Sequence, residues 1–200
     1  MTASASPPTL HGVHHSAFVM WDPAATVRFY RDIMGFPLVH AITARGWGQD
    51  DHADFAHIFF DIGNDTCMAF FYYFGVEKRD ARSRDYVDNG RHTAFHCQGE
   101  AEFRAWHARL KTAGVNVSPP IRHELIESIY FTDPNGYPLE ITRPIRPMDG
   151  VDAEDAALTV AALIESTTVG TDTAEDMWRR KGTLVAAHLQ PAGRQPAPAL

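Results

Sequence analysis

The sequence predicts an α+β protein built from two β-α-β-β-β modules that pair to bury their sheets, followed by a C-terminal helical extension. Three observations predict it. The same order of strand-like and helical stretches occurs twice; a glycine, Gly35 or Gly114, closes the helix of each copy; and the composition after Pro144 turns Ala-rich and helix-forming.

The first module spans 11–75. From Gly12 to Met20 the chain is apolar and β-capable, and from Asp22 to Met34 it changes period, with Pro23 near the start and Val27, Phe29, Tyr30 and Ile33 at helical spacing. Strand-like stretches follow at about Pro37–Ala44, Phe55–Ile62 and Thr66–Phe74, and Gly63-Asn64-Asp65 makes the turn between the last two. The second module spans 90–145. A strand from His92 through Cys97 leads into a helix from about Glu100 to Ala113, whose apolar face is Phe103, Trp106 and Leu110; a short stretch near Val115–Val117 and then a hairpin complete it. In the extension, 146–200, Asp152–Ser166 and Thr171–Leu189 read as helices and Gln190–Leu200 as a frayed Pro/Ala-rich tail, while residues 1–10 read as a flexible N-terminus.

Composition narrows the function. With 200 residues, 44% hydrophobic and 22% charged, the chain has enough material for one sizeable core or two small modules. The net charge of −7 and the lack of a basic stripe argue against a nucleic-acid partner. No stretch approaches the roughly 18 apolar residues of a membrane span, and Met1–Thr9 lacks the basic and apolar regions of a secretory signal. Cys67 and Cys97 both fall in expected strands and suggest no disulfide framework, so a reducing cytoplasm is the expected compartment.

The chemistry concentrates between Ile121 and Glu140. His123, Tyr130 and Glu140 fall on two strands joined by Asp133-Pro134-Asn135-Gly136, a turn in which Pro fixes φ and Gly supplies a positive φ. A carboxylate can hold a divalent metal, and His and Tyr can exchange protons or hydrogen bonds beside it. Glu140 sits between Leu139 and Ile141, so it faces away from their apolar side, and an inward carboxylate demands a partner.

The spacing from Ile121 to Glu140 resembles the pattern of the extradiol ring-cleavage dioxygenases, a branch of the vicinal oxygen chelate superfamily that also holds glyoxalase I and the bleomycin-resistance proteins. The resemblance implies a curled mixed sheet around a metal cleft, formed by both modules within 11–145. It implies His15 as the first metal ligand, since the family ligand lies seven residues before the Asp that here is Asp22, and adjacent strand residues face opposite sides, which sets His15 apart from His14. His92 is the matching position in the repeat and Glu140 the carboxylate. Together they form a 2-His-1-carboxylate set typical of non-haem Fe(II) enzymes, with Mn(II) or another divalent metal as alternatives.

By the same resemblance Tyr130 hydrogen-bonds the metal-bound substrate oxygen and His123 stands behind it. The strand position that supplies a fourth ligand or proton-transfer group in glyoxalase I is Ala69 here, which argues against that activity, and the threonine of fosfomycin-resistance enzymes is Ala17. The acid–base histidine of larger dioxygenases is missing from Asn64-Asp65-Thr66; His96, four residues after His92, is the expected substitute and His57 a weaker one. Phe71 and Tyr73, on the face of Ala69, are expected to contact an aromatic ring. The implied activity is Fe(II)-dependent cleavage of a catechol-like substrate with O2 by a homo-oligomer. The alternatives are a redox-neutral metal-dependent isomerase, lyase or transferase and a metal-free drug-binding protein.

Overall fold

A computed structural model of the chain describes residues 12–45, 52–78, 90–171 and 173–189. The expected flexible N-terminus, 1–10, and frayed tail, Gln190–Leu200, lie outside the described residues. Two compact units make up the chain, Met1–Ile145 and Arg146–Leu200.

In the first module β1 (His15–Val19) leads into α1 (Pro23–Val27), where the Asp22 carboxylate accepts a hydrogen bond from the Ala25 amide at 2.9 Å and Pro23 occupies the first turn. The helix expected to run to Met34 changes pitch at a π-helical segment (Arg28–Ile33), in which the Met34 amide reaches back five residues to Phe29 O at 2.9 Å. That wider turn accompanies burial of the sequential pair Phe29 and Tyr30. Gly35, with φ +76°, then reverses the chain into β2 (Leu38–Ala44), β3 (Phe55–Asp61) and β4 (Cys67–Tyr73). The strand order is β1-β4-β3-β2, with β1 parallel to β4 and the other pairs antiparallel.

The second module repeats this order with β5 (Thr93–His96), α2 (Glu100–Thr112), β6 (Ile121–Arg122), β7 (Ile126–Thr132) and β8 (Pro138–Pro144), arranged β5-β8-β7-β6. Two expectations shift. Val115–Val117 forms no strand, the short second strand being β6, and β5 ends at His96, one residue before Cys97. The stretch from Ile121 to Glu140 therefore crosses three strands rather than two, with His123 in the turn between β6 and β7, where its amide donates to Ile126 O at 2.8 Å.

Each sheet gives one face to the helices. Met68 and Phe70 from β4, Ile129 and Phe131 from β7, and Leu139 and Ile141 from β8 join Tyr30, Met34, Phe103 and Leu110 in one core. Burial of these large apolar side chains is the main stabilising term, about 1.5–3 kcal/mol for each aliphatic or Phe side chain fully removed from water. Two polar clamps join the modules. Arg109 of α2 donates to the carbonyls of Asp32, at 3.0 Å, and Ile33, satisfying acceptors at the end of the π-helical segment. Buried Asp133, in the turn before β8, accepts from Tyr30 Oη at 3.0 Å, Asn135 N at 2.9 Å and Tyr137 N at 2.8 Å, while Asn135 Oδ1 accepts from Trp21 N at 3.0 Å.

The second unit is a pair of packed helices, α3 (Gly150–Thr168) and α4 (Ala174–Leu189). Asp149 and Asp152 form a capping box at the start of α3, and Lys181 on α4 pairs with Asp155 on α3 at 2.7 Å. Among the described residues no helix is long and apolar enough to cross a membrane.

Candidate metal centre

The ladder between β7 and β8 sets Tyr130 opposite Glu140, and the parallel ladder between β5 and β8 sets Ala94 opposite Glu140. Facing residues on paired strands share a side, so Tyr130 and Glu140 project together while Leu139 and Ile141 enter the core. Glu140 is only 3% exposed. Its Oε2 lies 2.7 Å from His92 Nε2, whereas its Oε1 is buried without a hydrogen-bond partner. A buried carboxylate oxygen with nothing to accept is costly. A divalent cation shared by the imidazole and the carboxylate would satisfy it, and imidazole plus carboxylate suits a first-row transition metal.

Tyr130 Oη and His123 Nε2 are 2.8 Å apart, and the Tyr130 and His92 rings meet edge-on with centroids 6.1 Å apart. Burial, reinforced by the Glu140 carboxylate, pushes the Tyr130 phenol above its ordinary pKa, so at neutral pH it keeps its proton and can donate a hydrogen bond.

Register equates the two halves of the site. Ala17 pairs with Ala69 as Ala94 pairs with Glu140, and His15 and His92 each precede that alanine by two residues. Ala69 is fully buried and is the structural counterpart of Glu140, so the first module offers a methyl group where the second offers a carboxylate. The structure brings His92 and Glu140 together but does not bring His15 to them. His15 Nδ1 lies 2.8 Å from His14 Nδ1, its ring packs against Phe59 with centroids 5.5 Å apart, and among the described residues no three His, Cys, Asp or Glu side chains converge as a ready metal-binding group.

His96 is also placed apart. Four residues on a strand cover about 13 Å, so sharing a side with His92 does not make it a neighbour. It lines a cavity of about 280 Å³ with Met34, Phe36, Ile62 and Trp106, whereas His92 lines two others. The expected substitution of His96 for the missing acid–base histidine therefore has no geometric support beside Tyr130.

Phe71 and Tyr73 do line a cleft with His92. It measures about 610 Å³, and Ala17, Val19, Arg91 and Tyr137 contribute to its walls. The Phe71 and Tyr73 rings are nearly coplanar in orientation, 3° apart with centroids at 5.6 Å. Behind Phe71, His57 is stacked at 3.6 Å and 19°, only 4% exposed, and its Nε2 has no hydrogen-bond partner. Burial, followed by the neighbouring His15 and His40, lowers the His57 pKa and keeps the ring neutral at pH 7. The sequence marks His57 as a weaker acid–base candidate and does not single out Arg91 or Tyr137. Alternation along Phe55, His57 and Phe59 signals the first, but no local pattern signals the others, which reach the cleft from loops of the second module.

Comparison with known proteins places this architecture. Residues 12–141 match the model of the Glyoxalase/Bleomycin resistance protein/Dioxygenase superfamily. Among solved structures, a glyoxylase/bleomycin resistance protein/dioxygenase domain from Frankia sp. EAN1pec is 20% identical with a TM-score of 0.51, covering 70% of this chain and 96% of that one. Lactoylglutathione lyase from Agrobacterium tumefaciens is 20% identical with a TM-score of 0.47, covering 69% of this chain and 96% of its own. The fosfomycin resistance protein FosX from Mesorhizobium loti is 24% identical with a TM-score of 0.46, covering 66% and 91% respectively.

Proposed function

The chain belongs to the glyoxalase/bleomycin resistance protein/dioxygenase superfamily, and from that premise we propose that it is a metal-dependent enzyme of the extradiol-dioxygenase type, cleaving a catechol-like substrate with O2. The observation that carries this reading is Glu140: a buried carboxylate with one oxygen on His92 and the other without a partner, flanked by the Tyr130–His123 pair. His92 and Glu140 would hold the metal, and His15, equivalent to His92 by register, would complete the set on turning away from His14. Ferrous iron bound there would supply the redox link between a catechol and O2 that the organic side chains lack.

The remaining work belongs to the chain's own groups. Tyr130, held as a neutral phenol, donates a hydrogen bond to a substrate hydroxyl oxygen, and His123, 2.8 Å from Tyr130 Oη, donates to that oxygen and fixes the phenol's orientation. Phe71 and Tyr73 offer ring faces against which a planar aromatic can lie, displacing water from the cleft. The methyl of Ala69 leaves the first module without a fourth donor or a carboxylate base, which sets the site apart from an isomerase that moves a proton with such a group.

The test is oxygen uptake by anaerobically iron-loaded protein given a panel of catechols, followed together with the yellow absorbance of ring-cleaved product. Uptake with colour is expected, and Glu140→Ala should lower iron affinity at least tenfold and abolish both signals. Stoichiometric iron retained by Glu140→Ala would refute the site assignment. Full iron loading without uptake would move the reading to a redox-neutral enzyme on the same scaffold.

A further inference from the structure

The 610 Å³ cleft is roomier than a bare catechol fills, and its lining is chemically lopsided. One wall is the aromatic pair Phe71 and Tyr73. Next to His92 in the chain, Arg91 also lines the cleft, and no Asp or Glu is among its described lining residues. Arg91 forms no ion pair with any described residue, while Arg31, Arg104, Arg143, Arg146, Arg179 and Arg180 are each committed to a carboxylate. The whole chain carries a net charge of −7, so an anion approaching it meets general repulsion, and the Arg91 guanidinium, without an ion pair among the described residues, is a local positive charge at the cleft. A guanidinium is suited to a carboxylate because two parallel N–H groups match its two oxygens.

We propose that the substrate is an aromatic carboxylate, its ring lying against Phe71 and Tyr73 and its carboxylate held by Arg91 while the ring hydroxyls point toward His92 and Glu140. This inference rests on the functional reading above for the hydroxyls, but the carboxylate contact stands on Arg91 alone. The charged group fixes which end of the ring enters first, so Arg91 is a specificity-determining residue.

The experiment compares dihydroxybenzoate and dihydroxyphenylacetate with unsubstituted catechol as substrates for the iron-loaded wild type, Arg91→Gln and Arg91→Lys. In parallel, calorimetry measures binding of the uncleavable pair hydroxybenzoate and phenol, in metal-loaded and metal-free protein. The wild type should favour the carboxylated compounds, and Arg91→Gln should reduce the ratio of kcat/KM for carboxylated over unsubstituted catechol about tenfold, through KM, the size of one charge-assisted pair. Arg91→Lys should restore part of it, and added salt should weaken hydroxybenzoate binding but not phenol binding. Turnover of catechols with no carboxylate preference and no effect of Arg91→Gln overturns the proposal while the dioxygenase reading stands. Arg91-dependent hydroxybenzoate binding without turnover of any catechol supports the proposal and defeats that reading.

Discussion

At the scale of single residues, His57 carries the clearest unfavourable arrangement in the first sheet. Its ring is buried and stacked, yet Nε2 finds no partner, a cost of about 1 kcal/mol or more. His57→Phe keeps the stacking on Phe71 and removes the orphan nitrogen, so it should raise stability by about 1 kcal/mol in denaturant titration. The pH dependence has a definite sign. The folded-state pKa is lowered, so the unfolded chain takes up the proton first, and the protein loses stability as pH falls through the unfolded imidazole value of about 6.5. Stability of the variant should therefore fall less than that of wild type between about pH 7 and pH 5. Retention of the full wild-type slope would show that other histidines carry it. For His57 the sequence offered the alternation that sets its face and a weaker place among the acid–base candidates, but not the lack of a partner at Nε2, which depends on the packing around Phe71.

At the scale of elements, the turn from Asp133 to Gly136 does more than reverse the chain. Sequence made it a turn because Pro134 and Gly136 restrict and release φ where a hairpin needs it, and Gly136 adopts φ +92°. Structure adds that the Asp133 carboxylate, 5% exposed, gathers donors from Tyr30, Asn135 and Tyr137 and so ties the second module to the helix of the first. Burial pushes the Asp133 carboxyl above its usual pKa, and the hydrogen bonds from Tyr137, Asn135 and Tyr30 oppose that rise. Asp133→Ala should cost about 3 kcal/mol, because it leaves a buried phenol and two amides without their acceptor. Thermal unfolding measures this, and a loss under about 0.5 kcal/mol would mean that water replaces the carboxylate. Because Tyr137 lies in this turn and also lines the cleft, the same variant should weaken binding of an aromatic ligand.

At the scale of the whole molecule, repetition is the governing fact. Two sheets with one strand order and equivalent registers place His15 and His92 at matching positions and Ala69 opposite in role to Glu140. A symmetry of scaffold thus coexists with an asymmetry of chemistry, Glu140 of the second module being matched by Ala69 in the first. The helical unit contains a buried polar cluster of its own. Asp176 accepts from Thr171 and from Arg180, and these bonds hold its carboxyl at about 2. Since that value lies below the ordinary carboxylate range, the contribution is complete above about pH 4 and is lost as pH falls through the folded value. Asp176→Asn should lower the helical signal's melting temperature at neutral pH, and the difference from wild type should close as the pH approaches 2. An equal difference at both pH values would assign the effect to packing instead.

The sequence by itself determined what is local. Alternation set the strands, glycines at positive φ ended the helices, the Asp-Pro-Asn-Gly turn fixed the hairpin, and the repeat of these signals fixed the module order. It also marked Glu140, since a carboxylate between Leu139 and Ile141 on a strand has one face available to it. Tertiary structure alone decided which side chains meet. His92 reaches Glu140 and His15 turns to His14; Tyr130 reaches His123 while His96 lies in another cavity; Arg91 and Tyr137 join Phe71 and Tyr73 across the modules. Local propensity acts over a few residues along the chain, whereas these encounters join residues far apart in sequence and depend on how two separately specified sheets pack around a shared core.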